Sequence, residues 1–240
     1  MDDIPISQEK IGLYIDLVNK RKDCRLCLGL TNPADVDNGH YDRDHIGPWS
    51  TWQGNINSPI VVIGQDWGSP EVFRHSKGLE PYCSENDRNT NGMLVDLLGS
   101  IGIKIERPNG RHETTGKLFF TNAILCLKHG DAQAPVKDEW FQTCGIEFIV
   151  PLLLVLEPFA VITLGEKAYR ALELLFRLNK TEFRSVVNDP AGIPLFEKTR
   201  LFPMYHCGRR ILNTHRKLDQ QLKDWARVGK YLRECGVNVP

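Results

Sequence analysis

Ile60-Val61-Val62-Ile63-Gly64-Gln65-Asp66-Trp67-Gly68 is the stretch on which the fold turns. Four residues of high strand propensity follow Pro59 and empty straight into a polar turn flanked by glycines. A short apolar run without polar alternation reads as a parallel strand covered on both faces. In open α/β sheets, ligands sit outside the carboxyl ends of such strands. Asp66 therefore stands where a carboxylate can act, and Gly64 and Gly68 allow backbone amides to approach a ligand closely. Strand-Gly-x-Asp turns also arise from turn chemistry alone, so the weight of this stretch depends on what converges on it.

Three further runs read as buried strands: Leu118 to Ile124, Phe159 to Gly165, and Leu201 to His206, where Pro203 points to an edge strand or an early end. Between them lie helical patterns from Ser7 to the Cys24-x-x-Cys27 pair, with Ile11, Tyr14, Ile15, Leu17 and Val18 on one face, and over Gly92 to Leu98. Others run from Asp138 to about Leu156 with Pro151 bending or ending the helix, from Glu166 to Leu178, and from Arg216 to Cys235. Residues 29–58, 69–87 and 104–116 carry turn signals and read as loops. Strands alternating with helices imply an α/β fold of three α/β/α layers around a central, mostly parallel four-stranded sheet, in one domain over residues 1–240.

Composition bounds the function classes. The 30 Lys plus Arg balance 30 Asp plus Glu, so no global charge advertises nucleic acid, although a local basic patch suffices to hold phosphates. The N-terminus shows no basic leader with an apolar core, and the apolar run Phe148 to Leu156 is too short to span a bilayer and carries Pro151. These features lead to the expectation of a cytoplasmic protein with no membrane partner. In that compartment 7 cysteines point to metal or cluster ligation rather than disulfides.

Two signals remain. Gln65-Asp66, Asn122, Gly165-Glu166 and His206 all fall at strand exits, an amide, a carboxylate, a histidine and glycine amides that suit a neutral, hydrogen-bonding ligand such as a nucleobase. Cys24 and Cys27 put two thiols on one turn, and Cys126 and Cys144 bring two more from a strand exit and the following helix. Four thiolates can close a zinc site or hold an iron-sulfur cluster, and cysteines are also readily buried as small hydrophobes.

At these residues the chain resembles the uracil-DNA glycosylase superfamily, and in particular its iron-sulfur-containing branch. The family's first motif is matched by Gly64-Gln65-Asp66-Trp67-Gly68 and its Thr-Asn signature with a following cysteine by Thr121-Asn122-Ala123-Ile124-Leu125-Cys126. Cys144, the junction Leu164-Gly165-Glu166-Lys167-Ala168, and His206 after the final strand match the rest. The resemblance implies a 4Fe-4S cluster on Cys24, Cys27, Cys126 and Cys144, with zinc as the alternative, and a monomeric partner of DNA. It also implies roles. His206, neutral, would donate a hydrogen bond to the base oxygen that becomes negative, and Asp66 would orient or deprotonate water and favour the sugar cation. Asn122 would read the Watson-Crick edge of a flipped base. Gly64, Gln65 and Trp67 would line the base, Gln65 chiefly through its backbone, with Tyr82 as the stacking ring and Phe73 its competitor.

The chain departs from the pattern in three places. Asp66 resembles the uracil-specific branch, whereas the cluster-bearing branch usually has alanine there. Gly68 stands where a ring would exclude 5-substituted bases, and His206-Cys207-Gly208-Arg209-Arg210-Ile211-Leu212 replaces the usual His-Pro-Ser. Arg209 and Arg210 would grip phosphates, with Ile211 or Leu212 as a wedge. Three readings follow: a glycosylase for uracil or another deaminated base, a glycosylase for a bulky 5-modified pyrimidine as in defence against phage, and a non-catalytic nucleic-acid binder. No role attaches to Cys83, Cys207 or Cys235, and His112, His129 and His215 are expected on surface loops or helix ends.

Overall fold

The computed structural model describes residues 6–47, 52–53, 55–79, 89–105, 118–130 and 134–238. Helix α1, Gln8–Asp23, opens on Ser7, whose hydroxyl accepts from the Lys10 amide, and ends at Cys24. It buries Tyr14, Leu17 and Val18, while Ile15, expected on the same face, is 49% exposed. After the two-residue strand β1, Leu30–Thr31, and the 3-10 segment Pro33–Gly39, the described residues before β2 wrap the core without a helix or strand. Buried Arg21 holds that wrap by donating to the Asp42 carboxylate and to the carbonyls of Arg43 and His45. Further on, the Trp52 carbonyl accepts from the Phe120 amide, so the wrap occupies the open edge of the sheet.

The strand expected first is β2, Ile60–Gly64, every residue of it buried. Next come α2, Pro70–His75, and α3, Thr90–Gly99, then β3, Phe119–Asn122, and the short β4, Leu127–Lys128. Part of the segment read as an irregular loop after β2 is thus helical, since Ser69 caps α2 and Pro70 fits a first helical turn. Helix α4, Asp138–Cys144, a π-helical turn, Gly145–Ile149, and α5, Val150–Leu156, run on without a break. Pro151 sits in the first turn of α5, where the widened π turn before it removes the need for its missing N–H. The 19 residues Asp138–Leu156 are apolar and long enough to cross a membrane by composition alone, and half of that stretch is buried inside the protein.

The chain continues with β5, Ala160–Leu164, α6, Glu166–Leu175, α7, Phe183–Asn188, β6, Ile193–Pro194, β7, Arg200–Met204, α8, Arg209–Thr214, and α9, Leu218–Glu234. The central sheet has five strands in the order β3-β2-β5-β7-β6, not the four expected. Four are parallel and β6 is antiparallel to β7. β7 is accordingly interior rather than an edge. Pro203 is tolerated because β6 pairs only with Leu201 and Arg200, so no ladder partner on that side asks for its N–H. The antiparallel pair β1-β4 also went unforeseen, as two-residue strands carry no periodicity.

Strand residues alternate between two cores. Val61, Phe119, Val161 and Leu201 face α1, α5 and α6, while Val62, Phe120, Ile162 and Phe202 face α3 and α9. These are the three layers. Connections from β2 lead to β3 on one side and, through β5, to β7 on the other, so the topological switch lies between β2 and β5, where a ligand crevice is expected.

Candidate active site

The four parallel strands end nearly level. Gly64 pairs with Asn122, Ile63 with Thr163, and Leu164 with Met204. By alternation Gly64, Asn122 and, past the end of β7, His206 share the face covered by α3 and α9. From β3 to β7 is three strand spacings, roughly 14 Å between backbones, which an asparagine and a histidine reaching inward can fill with one pyrimidine between them.

The exits of β2 and β3 are zipped together beyond the sheet. Ala123 donates to the Gly64 carbonyl at 2.8 Å, Ile124 to Gln65 at 3.0 Å and Lys128 to Gly68 at 2.9 Å. A β-carbon at position 64 would collide with Asn122 Oδ1, so only glycine lets that amide lie across the end of β2. The Asn122 Nδ2 is buried and has no hydrogen-bond partner among the described residues. A buried donor without a partner is costly and asks for an explanation, and a ligand acceptor supplies one.

Asp66 is held from two sides. Lys128 Nζ lies 3.1 Å from its Oδ2, the two side chains being 3% and 7% exposed, and Gln65 Nε2 donates to the same oxygen. Gln65 therefore contributes its side chain and not only its backbone, and Lys128 is a site residue that sequence reasoning missed. The one signal was a lysine closing the apolar run Ile124-Leu125-Cys126-Leu127. Trp67 packs edge-on against Phe73, with ring centroids 6.4 Å apart. Phe73 itself is only 1% exposed, in a small core with Val36 and Leu127. Its ring is fixed beneath the turn and does not compete to stack on a base. Tyr82 and Cys83 lie outside the described residues, as does His112. Gly68 has φ +128° and faces open space among the described residues.

At the other side of the crevice, the Gly208 amide donates to His206 Nδ1 at 3.0 Å. In the neutral ring this leaves the proton on Nε2, the donor needed by an acceptor in the crevice. Solvent reaches the residue, while the protein packed around the ring lowers its pKa below the ordinary 6.5 by desolvation. A β-carbon at position 208 would come within 2.9 Å of Nδ1, which explains the glycine there. Cys207, without an assigned role in the sequence, is fully buried and donates its thiol to the Thr90 carbonyl at the start of α3, 3.3 Å away. Two buried polar residues of α9 hold the loop from behind. Gln221 donates to the carbonyls of His206 and Arg216, and Asp224 takes both Arg216 Nε and Nη2, at 2.9 and 2.6 Å. Arg216 in turn lies 5.8 Å over the Tyr205 ring. Arg209 and Arg210 are exposed on α8, Ile211 is half-buried, and Leu212 packs against the core.

Cys24, Cys27, Cys126 and Cys144 line one cavity of about 200 Å³ at the end of α1. None is in a disulfide. Among the described residues no three His, Cys, Asp or Glu side chains converge as for a single metal ion. The thiols nevertheless feel one another. Cys144 and Cys27 are hydrogen bonded, which lowers Cys27 and, together with burial, raises Cys144. Burial first, and then Cys24 and Cys27, push Cys126 up to about 12, against the pull of Arg21 and Arg25. Four thiols with two guanidiniums beside them fit a group that binds as a four-thiolate anion, because a metal reverses the cost of removing those protons.

The fold is thus an α/β sheet whose strand exits carry the Asp66 carboxylate, the Asn122 amide and the His206 imidazole at one end. The chain belongs to the uracil DNA glycosylase superfamily, whose family model matches residues 51–228. It is thus a DNA glycosylase, a hydrolase of N-glycosyl bonds. The matched span contains Asp66, Lys128, Asn122, Cys126, Cys144 and His206 and leaves out Cys24 and Cys27. No curated protein matches the chain.

Proposed function

We propose that this glycosylase flips uracil, or a related deaminated pyrimidine-type base, out of DNA and hydrolyses its bond to the sugar, as a cytoplasmic monomer in base excision repair. The observation that carries the reading is the buried, partnerless Nδ2 of Asn122, a donor set for the acceptor of a flipped base. As the C1′–N bond breaks, its electron pair moves to the base, where the Nε2–H of His206 stabilises the oxygen that turns negative. Asp66 stabilises the cationic sugar and orients water, whose oxygen bonds to C1′ as its proton passes to the Asp66 carboxylate, while the base departs as the anion. Tyr82 is the ring proposed to stack on the base.

Cys24, Cys27, Cys126 and Cys144 would hold a 4Fe-4S cluster. Thiols ringing a cavity support a cluster over zinc, whose ligands must all meet one centre at about 2.3 Å. The cluster would act as a structural tie between α1 and the β3 exit. A second reading has an observation of its own: the open space at Gly68 leaves room for a 5-substituent, which favours a bulky modified pyrimidine such as modified cytosine in phage DNA.

The test is base release from single- and double-stranded DNA carrying uracil, hypoxanthine, mismatched thymine or 5-hydroxymethyl- and glucosylated cytosine, with an Asp66→Asn control. Uracil release, lost by roughly 10²-fold or more in the control, is the expected result. Release confined to modified cytosine supports the second reading, and no release from any substrate leaves a nucleic-acid-binding module.

A further inference from the structure

We infer that Lys128 is a positioning residue, which holds Asp66 in the orientation the reaction needs; this rests on the glycosylase reading above. Lysines are almost never this deeply buried unless paired, and Lys128 is 2% exposed. A buried ion pair is a poor way to gain stability, since apolar side chains of the same size do as well or better. A pair of this kind at the exits of β2 and β3, beside Asn122, therefore suggests a task beyond stability.

The geometry supplies that task. Lys128 Nζ, at 3.1 Å, and Gln65 Nε2 both fall on Asp66 Oδ2, and Oδ1 takes no hydrogen bond from the described residues. One oxygen is pinned and the other is left for a water or a sugar. Lys128 is itself fixed at both ends. Its amide donates to the Gly68 carbonyl, so its backbone spans the far end of the same turn, and its ammonium also donates to the Ala134 carbonyl at 3.3 Å. Behind it, β4 is registered on β1, Lys128 opposite Leu30, just past the Cys24-Cys27 pair. The chain from Asn122 to Lys128 thus carries the base-reading amide at one end and the anchor of the carboxylate at the other.

The test is a double-mutant cycle of Lys128→Gln and Asp66→Asn, read as single-turnover release of uracil, affinity for the same DNA, and thermal unfolding. Lys128→Gln is expected to slow release at saturating DNA by about 100-fold with affinity within about twofold. In the Asp66→Asn background the same change should cost less than about threefold, because a residue that acts only through Asp66 has nothing left to position. The double variant should also unfold at a higher temperature than Lys128→Gln, which leaves a buried carboxylate unpaired. A wild-type rate for Lys128→Gln, a loss confined to affinity, or a full additive loss in the double variant would overturn the inference. Should Lys128→Gln not fold, Asp66→Asn, whose buried Lys128 ammonium still donates to the Ala134 carbonyl, is compared with the double variant, which carries no charge at the pair, and a further loss above about threefold in the double variant overturns the inference. Wild-type protein that releases no base from any substrate brings down the site reading and this inference with it, whereas active wild type beside an equally active Lys128→Gln brings down the inference alone.

Discussion

His206 shows how much a single backbone contact decides. The Gly208 amide claims Nδ1, so the neutral ring must carry its proton on Nε2, and desolvation favours that neutral form. Protonation would put a second proton on Nδ1, break the Gly208 contact and place a charge in crowded surroundings. The pKa of the folded state lies below that of the unfolded chain, so His206 adds stability that is fully present above about pH 6.5 and is lost as pH falls through the folded value. Base release should follow the same limb: level near neutrality, declining on acidification with a midpoint below the ordinary 6.5. A pH profile of kcat/KM on uracil DNA reads it. In His206→Gln the rate should drop by about 10²- to 10³-fold and the acid limb should vanish, whereas activity that rises as the pH falls would mean the imidazolium is the working form. Gly64 is a second residue-scale determinant, since its missing side chain is the space in which the Asn122 amide lies.

At the level of elements, α8 is a six-residue helix that begins directly after Gly208 and presents two exposed arginines. The sequence pattern assigns Arg209 to Leu212 no helix of their own and begins the last helix at Arg216. The break between α8 and α9 comes from tertiary contacts, in which the Asp224 carboxylate draws Arg216 inward and Gln221 binds the carbonyls of His206 and Arg216. Of the two wedge candidates, Leu212 packs against the core, so Ile211 is the one proposed as the wedge. If α8 lies along the phosphates, Arg209→Ala and Arg210→Ala should each weaken DNA binding evenly across sequences. Each should also reduce the slope of log affinity against log salt by about one. Titrations at several salt concentrations give that slope, and an unchanged value for both variants would place the DNA backbone elsewhere. The α4–α5 run shows the opposite case. Pro151 forecast a bend or an end, and the π turn supplied a third solution that no residue pattern announces.

Across the whole molecule, the four cysteines bring the end of the N-terminal helix and the exit of β3 around one cavity. Cys24 and Cys27 close α1, while Cys126 and Cys144 follow β3 and end α4. With a structural cluster there, Cys126→Ser should lose the brown colour together with yield and melting temperature, checked by absorbance and thermal unfolding of freshly prepared protein. A soluble, colourless variant that melts with the wild type would contradict the structural role.

The layered α/β architecture was legible because its signals are local. The buried runs at Ile60, Phe119, Ala160 and Leu201 lack polar alternation, and each is bounded by turn residues, so strand, helix and polar exit could be told apart one segment at a time. Asp66, Asn122 and His206 stood out in the sequence for the same reason, as each ends or follows such a run. The fifth strand, the β1-β4 pair and α8 escaped because two- to six-residue elements exist only through their partners. Lys128, Gln221 and Asp224 escaped too, since a charged or amide side chain is solvated in the chain and becomes costly only when packing buries it. By itself, the sequence determined the order of elements and which side chains stand at the strand exits. The tertiary structure decided which oxygen of Asp66 is pinned, which nitrogen of His206 carries the proton and which amide of the crevice is left unpaired, because those depend on contacts between residues far apart in the chain.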